Sequence, residues 1–120
     1  MKEIEGYILK LDTLNINGHV YVKDCKISFP EKVPITLGFK PHRLENVVGY
    51  GKLIQKEDGI YVEGEITDAI FNNELITHMG LYATNVKQDE NKVIKNMTIR
   101  CIGLLSENEA SMPEYKIERK

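Results

Sequence analysis

The sequence predicts a β-rich α+β domain, an antiparallel, partly closed β-barrel of about six to seven strands with one main helix packed on it. Three observations carry that expectation. Short apolar segments with strand character recur along the chain. Turn signals separate them at close intervals. A single stretch, DAIFNNELITHMG, carries a helical stripe. The 120 residues suffice for one small core, so 1–120 reads as a single domain with a polar tail over 106–120.

The elements follow in order. EGYILKL (5–11) is a β-like apolar run. Asn17-Gly18 is a hairpin turn signal, because both residues tolerate positive φ. HVYVKDCKISF then alternates in part, with Val20, Val22, Cys25, Ile27 and Phe29 expected to point inward. Pro30 and Pro34 frame a loop, and VPITLGF is a short strand. KPHRLEN is a turn or loop, since Pro41 biases Lys40 away from helix. VVGYGKLI and GIYVEGEI form a hairpin around QKEDG, where Asp58-Gly59 is again turn chemistry. Gly49 and Gly51 lie on one strand face, which must bend or admit a close backbone approach.

Thr67 or Asp68 can cap a helix over DAIFNNELITHMG. Ala69, Phe71, Leu75, Ile76 and Met79 are its apolar stripe and Gly80 its stop. LYATNV and KVIKNMTIRCIGLLS are strands joined by KQDEN, and ENEASMPEYKIERK is a polar tail, frayed or docked elsewhere in an assembly.

Bulk composition narrows the function classes. Lys+Arg 16 against Asp+Glu 18 leaves a net charge of −2, without the basic excess usual in nucleic-acid binders. No apolar run is long enough to span a bilayer. The start, MKEIEGYILKLD, is read as no secretory signal, having early acids and no apolar h-region. Cys25 and Cys101 lack a CxxC partner; two buried free thiols in a reducing cytosol are the expectation, with a disulfide as the alternative. No zinc spacing, calcium loop or phosphate loop is present, so no metal or cofactor is expected.

Candidate chemistry is sparse. His19 is expected at the surface and His78 in the last helical turn, where the helix dipole favours a cation. His42, in its turn between two apolar strands, is the candidate base. A nucleophile would need that base within hydrogen-bond reach. Ser28, Ser106 and Ser111 lie in no nucleophile-elbow setting. Cys101 sits in an apolar strand, where a thiol is inert, and Thr84 reads first as a β-former.

Three blocks nevertheless resemble the phage prohead (capsid maturation) protease family, whose fold is shared with herpesvirus assemblins. VPITLGFKPHRLENVVGYGKLIQKEDGIYVEGEI is similar to the family's strand, His-bearing turn and acidic-turn hairpin, with His42 in place of the catalytic histidine. DAIFNNELITHMGLYATNV is similar to its helix leading into a strand with a hydrophobic–Ser–hydrophobic–Gly–aromatic motif. IRCIGLLSENEASMPEYKI resembles its last strand and exit, and NINGHVY an Asn-x-Asn-Gly element of some relatives. The likeness spans roughly residues 5–117.

The departures are chemical. Ala83 stands where the resemblance places the nucleophilic serine, Asn85 where it places a glycine, and Cys101 where it places an acidic third member. Asn best tolerates the positive φ a glycine would use, so the backbone shape is kept while the hydroxyl is lost. The resemblance therefore implies a non-catalytic phage or prophage capsid-assembly protein. It would bind capsid or portal protein as a homo-oligomer in the bacterial cytoplasm, in association with proheads. One rival is an active serine- or threonine-type peptidase using His42, with Thr84 as nucleophile if the alignment shifts by one. The other is a small β-barrel nucleic-acid module using Tyr50, Tyr61 and Tyr82 with Lys52, which the charge balance disfavours.

Overall fold

The computed structural model describes residues 1–13, 18–37, 46–110 and 116–120. His42, Pro41, Asn17 and Ser111 lie outside the described residues. The strands are β1 (Lys2–Lys10), β2 (Val20–Ser28), β3 (Val33–Leu37), β4 (Val47–Lys56), β5 (Gly59–Ile66), β6 (His78–Gln88), β7 (Val93–Leu105) and the two-residue β8 (Glu118–Arg119). Among the described residues the one α-helix, α1, is Asp68–Phe71.

All eight strands join one sheet, in the order β2-β7-β3-β4-β5-β1-β8, with β6 on the other edge of β7. The sheet curls into a half-barrel but stays open, which corrects the expected partial closure. The strand inventory explains why. β2 and β3 both pair in parallel with β7, Val20–Ser28 along its first half and Ile35–Leu37 along its second. Two strands thus share one edge of β7. β6 and β1 do not pair, although Met79 at the start of β6 reaches Gly6 of β1. The parallel pairings also correct the purely antiparallel expectation; β1/β5, β4/β5, β3/β4, β6/β7 and β1/β8 are antiparallel.

The inner face carries the core: Ile4, Leu9, Val33, Ile35, Ile60, Val62, Ile66, Met97, Ile99 and Ile102 are each nearly or fully buried. Alternation sets this in β5, where Ile60, Val62, Gly64 and Ile66 face in while Glu63 and Glu65 face out. In β1 the register slips between Tyr7 and Leu9, so consecutive Ile8 and Leu9 are both buried, the work of a bulge. Tyr21 and Ile27 of β2, and Phe29 just after it, pack against the core, while Val20 and Val22 are half-buried rather than inward anchors.

The expected helix over 68–80 shrinks to one turn. Asn72 is its C-cap, and the side chain of Asn73 accepts the Leu75 amide (3.0 Å), a local turn that competes with helix. Thr67 occupies the N-cap without a side-chain capping bond. Leu75, expected in the apolar stripe, is 78% exposed, and His78 leaves the helix to open β6 opposite Leu105. His78 is fully buried, its Nδ1 2.7 Å from Thr77 Oγ1, which corrects the helix-end expectation. His19 is half-buried rather than exposed.

The end of the chain is docked on the chain itself. Ser106 and Glu109 form a reciprocal cap around a 3-10 turn at Glu107–Glu109, and Ala110 is buried behind it. Beyond the undescribed 111–115, β8 adds to the edge of β1.

Candidate functional site

Two regions are described: the positions that the resemblance singles out, and a groove on the outer face of the sheet.

Tyr82 pairs with Cys101 and Ala83 with Ile99, across a register slip at Arg100. Ala83 packs inward against the core. Cys101 alternates with the core residue Ile102 and faces the other way, its Sγ 3.4 Å from Thr36 Oγ1. The nucleophile and third-member positions therefore stand on opposite faces of the sheet. Thr84 points outward like Tyr82, and its Oγ1 accepts a hydrogen bond from Arg100 Nε (2.8 Å). Asn85 has φ 55°, a left-handed conformation that asparagine tolerates better than most non-glycine residues. The slip between Thr84 and Lys87 is the bulge it creates, and the Asn96 side chain donates to the Asn85 carbonyl (3.0 Å) to hold it.

Both cysteines are free and buried. Burial pushes each thiol above its ordinary range, for Cys101 against a smaller opposing effect of the Thr36 hydrogen bond, and burial does the same to the Tyr21 phenol. A raised folded-state value means stability that is full below the unfolded pKa and falls as pH rises through the folded one. Thermal midpoints should therefore be level near pH 7–8 and decline above about pH 8.5. At pH 8 Ellman's reagent should titrate neither thiol quickly in the native protein and both in guanidinium. Rapid native reaction of Cys101 would contradict its burial.

The outer groove, of about 780 Å³, crosses β4, β5 and β1. Tyr50 and Lys52, Glu63 and Glu65, and Glu3 and Glu5 line it, with Glu31 and Lys32 at one rim and Lys120 at the other. The register makes its charge pattern unusual. Glu3 lies opposite Glu65, and Glu5 opposite Glu63. Like charges directly opposite each other on neighbouring strands are destabilising. Lys120 Nζ sits 3.1 Å from Glu5 Oε2, and that hydrogen bond, reinforced by Glu5, Glu3 and Glu63, holds the Lys120 ammonium above its usual range.

Farther along the same face Tyr7 and Tyr61 meet edge-to-face (centroids 5.0 Å), with Lys10 Nζ 3.7 Å from the Tyr7 centroid and Lys56 Nζ 4.2 Å from that of Tyr61. The Tyr7 hydroxyl and Lys10 both donate to Asp58 (2.9 and 2.6 Å), which holds that carboxyl below its usual range, Lys10 contributing most. This cluster clamps the β4–β5 turn onto β1. The oligonucleotide reading uses Tyr50, Tyr61 and Tyr82 with Lys52, and Lys52 faces Glu63. Tyr50 lies opposite Glu65, Tyr61 belongs to the clamp, and Tyr82 stands apart on β6.

Sequence reasoning missed the groove because its acidic pairing exists only once β1 and β5 are in register. Among the described residues, no three His, Cys, Asp or Glu side chains converge as a metal site. No helix among them is long and apolar enough to cross a membrane. Comparison with family models, curated proteins and solved structures finds no match to this chain.

Proposed function

We propose that this chain is a non-catalytic binding protein of phage or prophage head assembly, a degenerate relative of the prohead proteases that contacts capsid or portal protein. The observation that carries the reading is the left-handed Asn85 (φ 55°), at the position where the resemblance calls for glycine, two residues after an alanine where it calls for the nucleophile. A left-handed backbone at 85 and the lack of a hydroxyl at 83 are what support the reading. The order of elements supports it too: strand β3, the segment with His42, hairpin β4–β5, a helical turn, then β6 and β7. Without a nucleophile an imidazole has no peptidase chemistry to perform. Shifting the alignment to Thr84 recovers a hydroxyl, but one already engaged by Arg100.

Binding through strand edges and the outer groove is the work that remains, carried out as a homo-oligomer in the host cytoplasm. Phosphate backbones fit that groove poorly, because carboxylates dominate its centre. The test is size-exclusion chromatography of the purified chain with the major capsid protein and the portal protein of the same genome. Co-elution with one of them at micromolar concentration is expected. Separate elution from both would end the reading.

A further inference from the structure

The last four residues of the chain carry a complete set of docking contacts. The Ile117 amide donates to the Thr77 carbonyl (2.8 Å), Glu118 and Arg119 pair with Glu5 and Ile4 of β1, and the Lys120 amide donates to the Glu3 carbonyl (3.1 Å). Arg119 is the anchor. Its Nε donates to the Phe71 carbonyl (2.8 Å), and its Nη2 donates to the carbonyls of Asn73 (3.0 Å) and Ile76. The guanidinium carbon lies 5.8 Å from the Phe71 ring centroid. These carbonyls are available because the helix stops at Phe71. The following turn leaves them converging on one point, a socket matched to a planar cation with several fixed donors.

One residue of the docked strand is wrongly charged for its place. Glu118 is opposite Glu5, and Glu5 is opposite Glu63 on its other side. The row across β8, β1, β5 and β4 thus reads Glu118, Glu5, Glu63 and Lys52, with Lys52 facing Glu63 and Lys120 bonded to Glu5, so that Glu118 has a carboxylate as its cross-strand neighbour. A strand with a cation at the position of Glu118 would regain every ladder bond and turn this repulsion into attraction.

We propose that the β1 edge and the arginine socket form a β-augmentation site for an extended basic segment of a partner protein, in which a cation replaces Glu118 and an arginine follows it. The chain's own Ile117–Lys120 occupies this site as a displaceable strand. Tethering favours the internal strand through its effective concentration, on the order of millimolar, so the partner must compete by charge match. The proposal does not depend on the partner being a capsid protein, and failure of the co-elution above would leave it standing.

Fluorescence anisotropy on the full chain tests it with three otherwise identical labelled peptides, ending in KIERK, KIKRK and KIKAK. KIKRK should bind about fivefold or more tighter than KIERK at low salt, by relief of the like-charge pairing. KIKAK should bind at least about tenfold more weakly than KIKRK, by loss of the charge-assisted bonds to the carbonyls. The full-length Arg119→Ala chain, with its own strand released, should bind KIKRK more tightly than the unmodified chain does. Should that variant not fold, the three peptides on the unmodified chain decide alone. Equal binding of KIKRK and KIKAK, parity of KIERK with KIKRK, or no binding at all would each overturn the site.

Discussion

Gly49→Ala should destabilise the protein by about 3 kcal/mol or more, the upper end of what inserting a methyl into a packed interior costs. A Cβ at Gly49 would fall on the Glu65 carbonyl oxygen, with the Glu65 carbonyl carbon and the Ile66 Cα both at 2.9 Å. All three are backbone atoms of the paired strand β5, so no rotamer change makes room. Either β4 and β5 separate or the ladder breaks. Gly64→Ala is the matched control. Its Cβ would meet Ile35 Cδ1, the far end of a side chain, at 2.9 Å, and its nearest backbone neighbour, the Tyr50 carbonyl oxygen, only at 3.3 Å. That variant should lose about 1–2 kcal/mol. Urea denaturation of the pair measures the difference. Equal losses would mean that the close approach of β4 and β5 at Gly49 is not real.

Ile35→Ala should cost about 3–4 kcal/mol, in the range for truncating a fully buried isoleucine. Ile35 is completely buried and pairs with Gly49 on one side and Ile102 on the other. In the strand order β3 alone joins β7 to β4, so this side chain fills the junction between the two halves of the sheet. Glycines at 51 and 64 leave the space into which its Cδ1 projects, and they have no side chain with which to refill a cavity there. Ile35→Val should cost about 1 kcal/mol. A loss under about 1 kcal/mol for the alanine variant, read from the same denaturation curves, would show that the core is not organised around this junction.

The strands were legible because period-two alternation and the Asp58-Gly59 turn are local signals. Glycines 49 and 51 likewise foretold a close approach, and Gly49 provides it. What stayed hidden depended on partners distant in sequence. No local pattern shows that β2 and β3 share one edge of β7, and this parallel arrangement is what leaves the half-barrel open. The helix was over-read because Phe71, Ile76 and Met79 do face inward, but from a helical turn, a loop and a strand in succession. Asn72-Asn73 was the breaking signal, and pairing of His78 with Leu105 settles the outcome. The polar tail concealed an anchor: Arg119 reads as surface charge until the broken helix supplies its carbonyls. Of the candidate site, Asn85 was read correctly as a residue able to take the glycine conformation. The opposite facing of Ala83 and Cys101 was invisible, because the slip at Arg100 changes the parity between them.

The central claim is that this chain binds and does not cut. Intact-mass spectrometry of capsid and portal protein after long incubation with the purified chain tests it most directly, in the mixture used for co-elution. The account predicts that both partners keep their full mass. New fragments that disappear with His42→Ala and with Thr84→Ala would contradict it, and would make the protein a threonine-type peptidase.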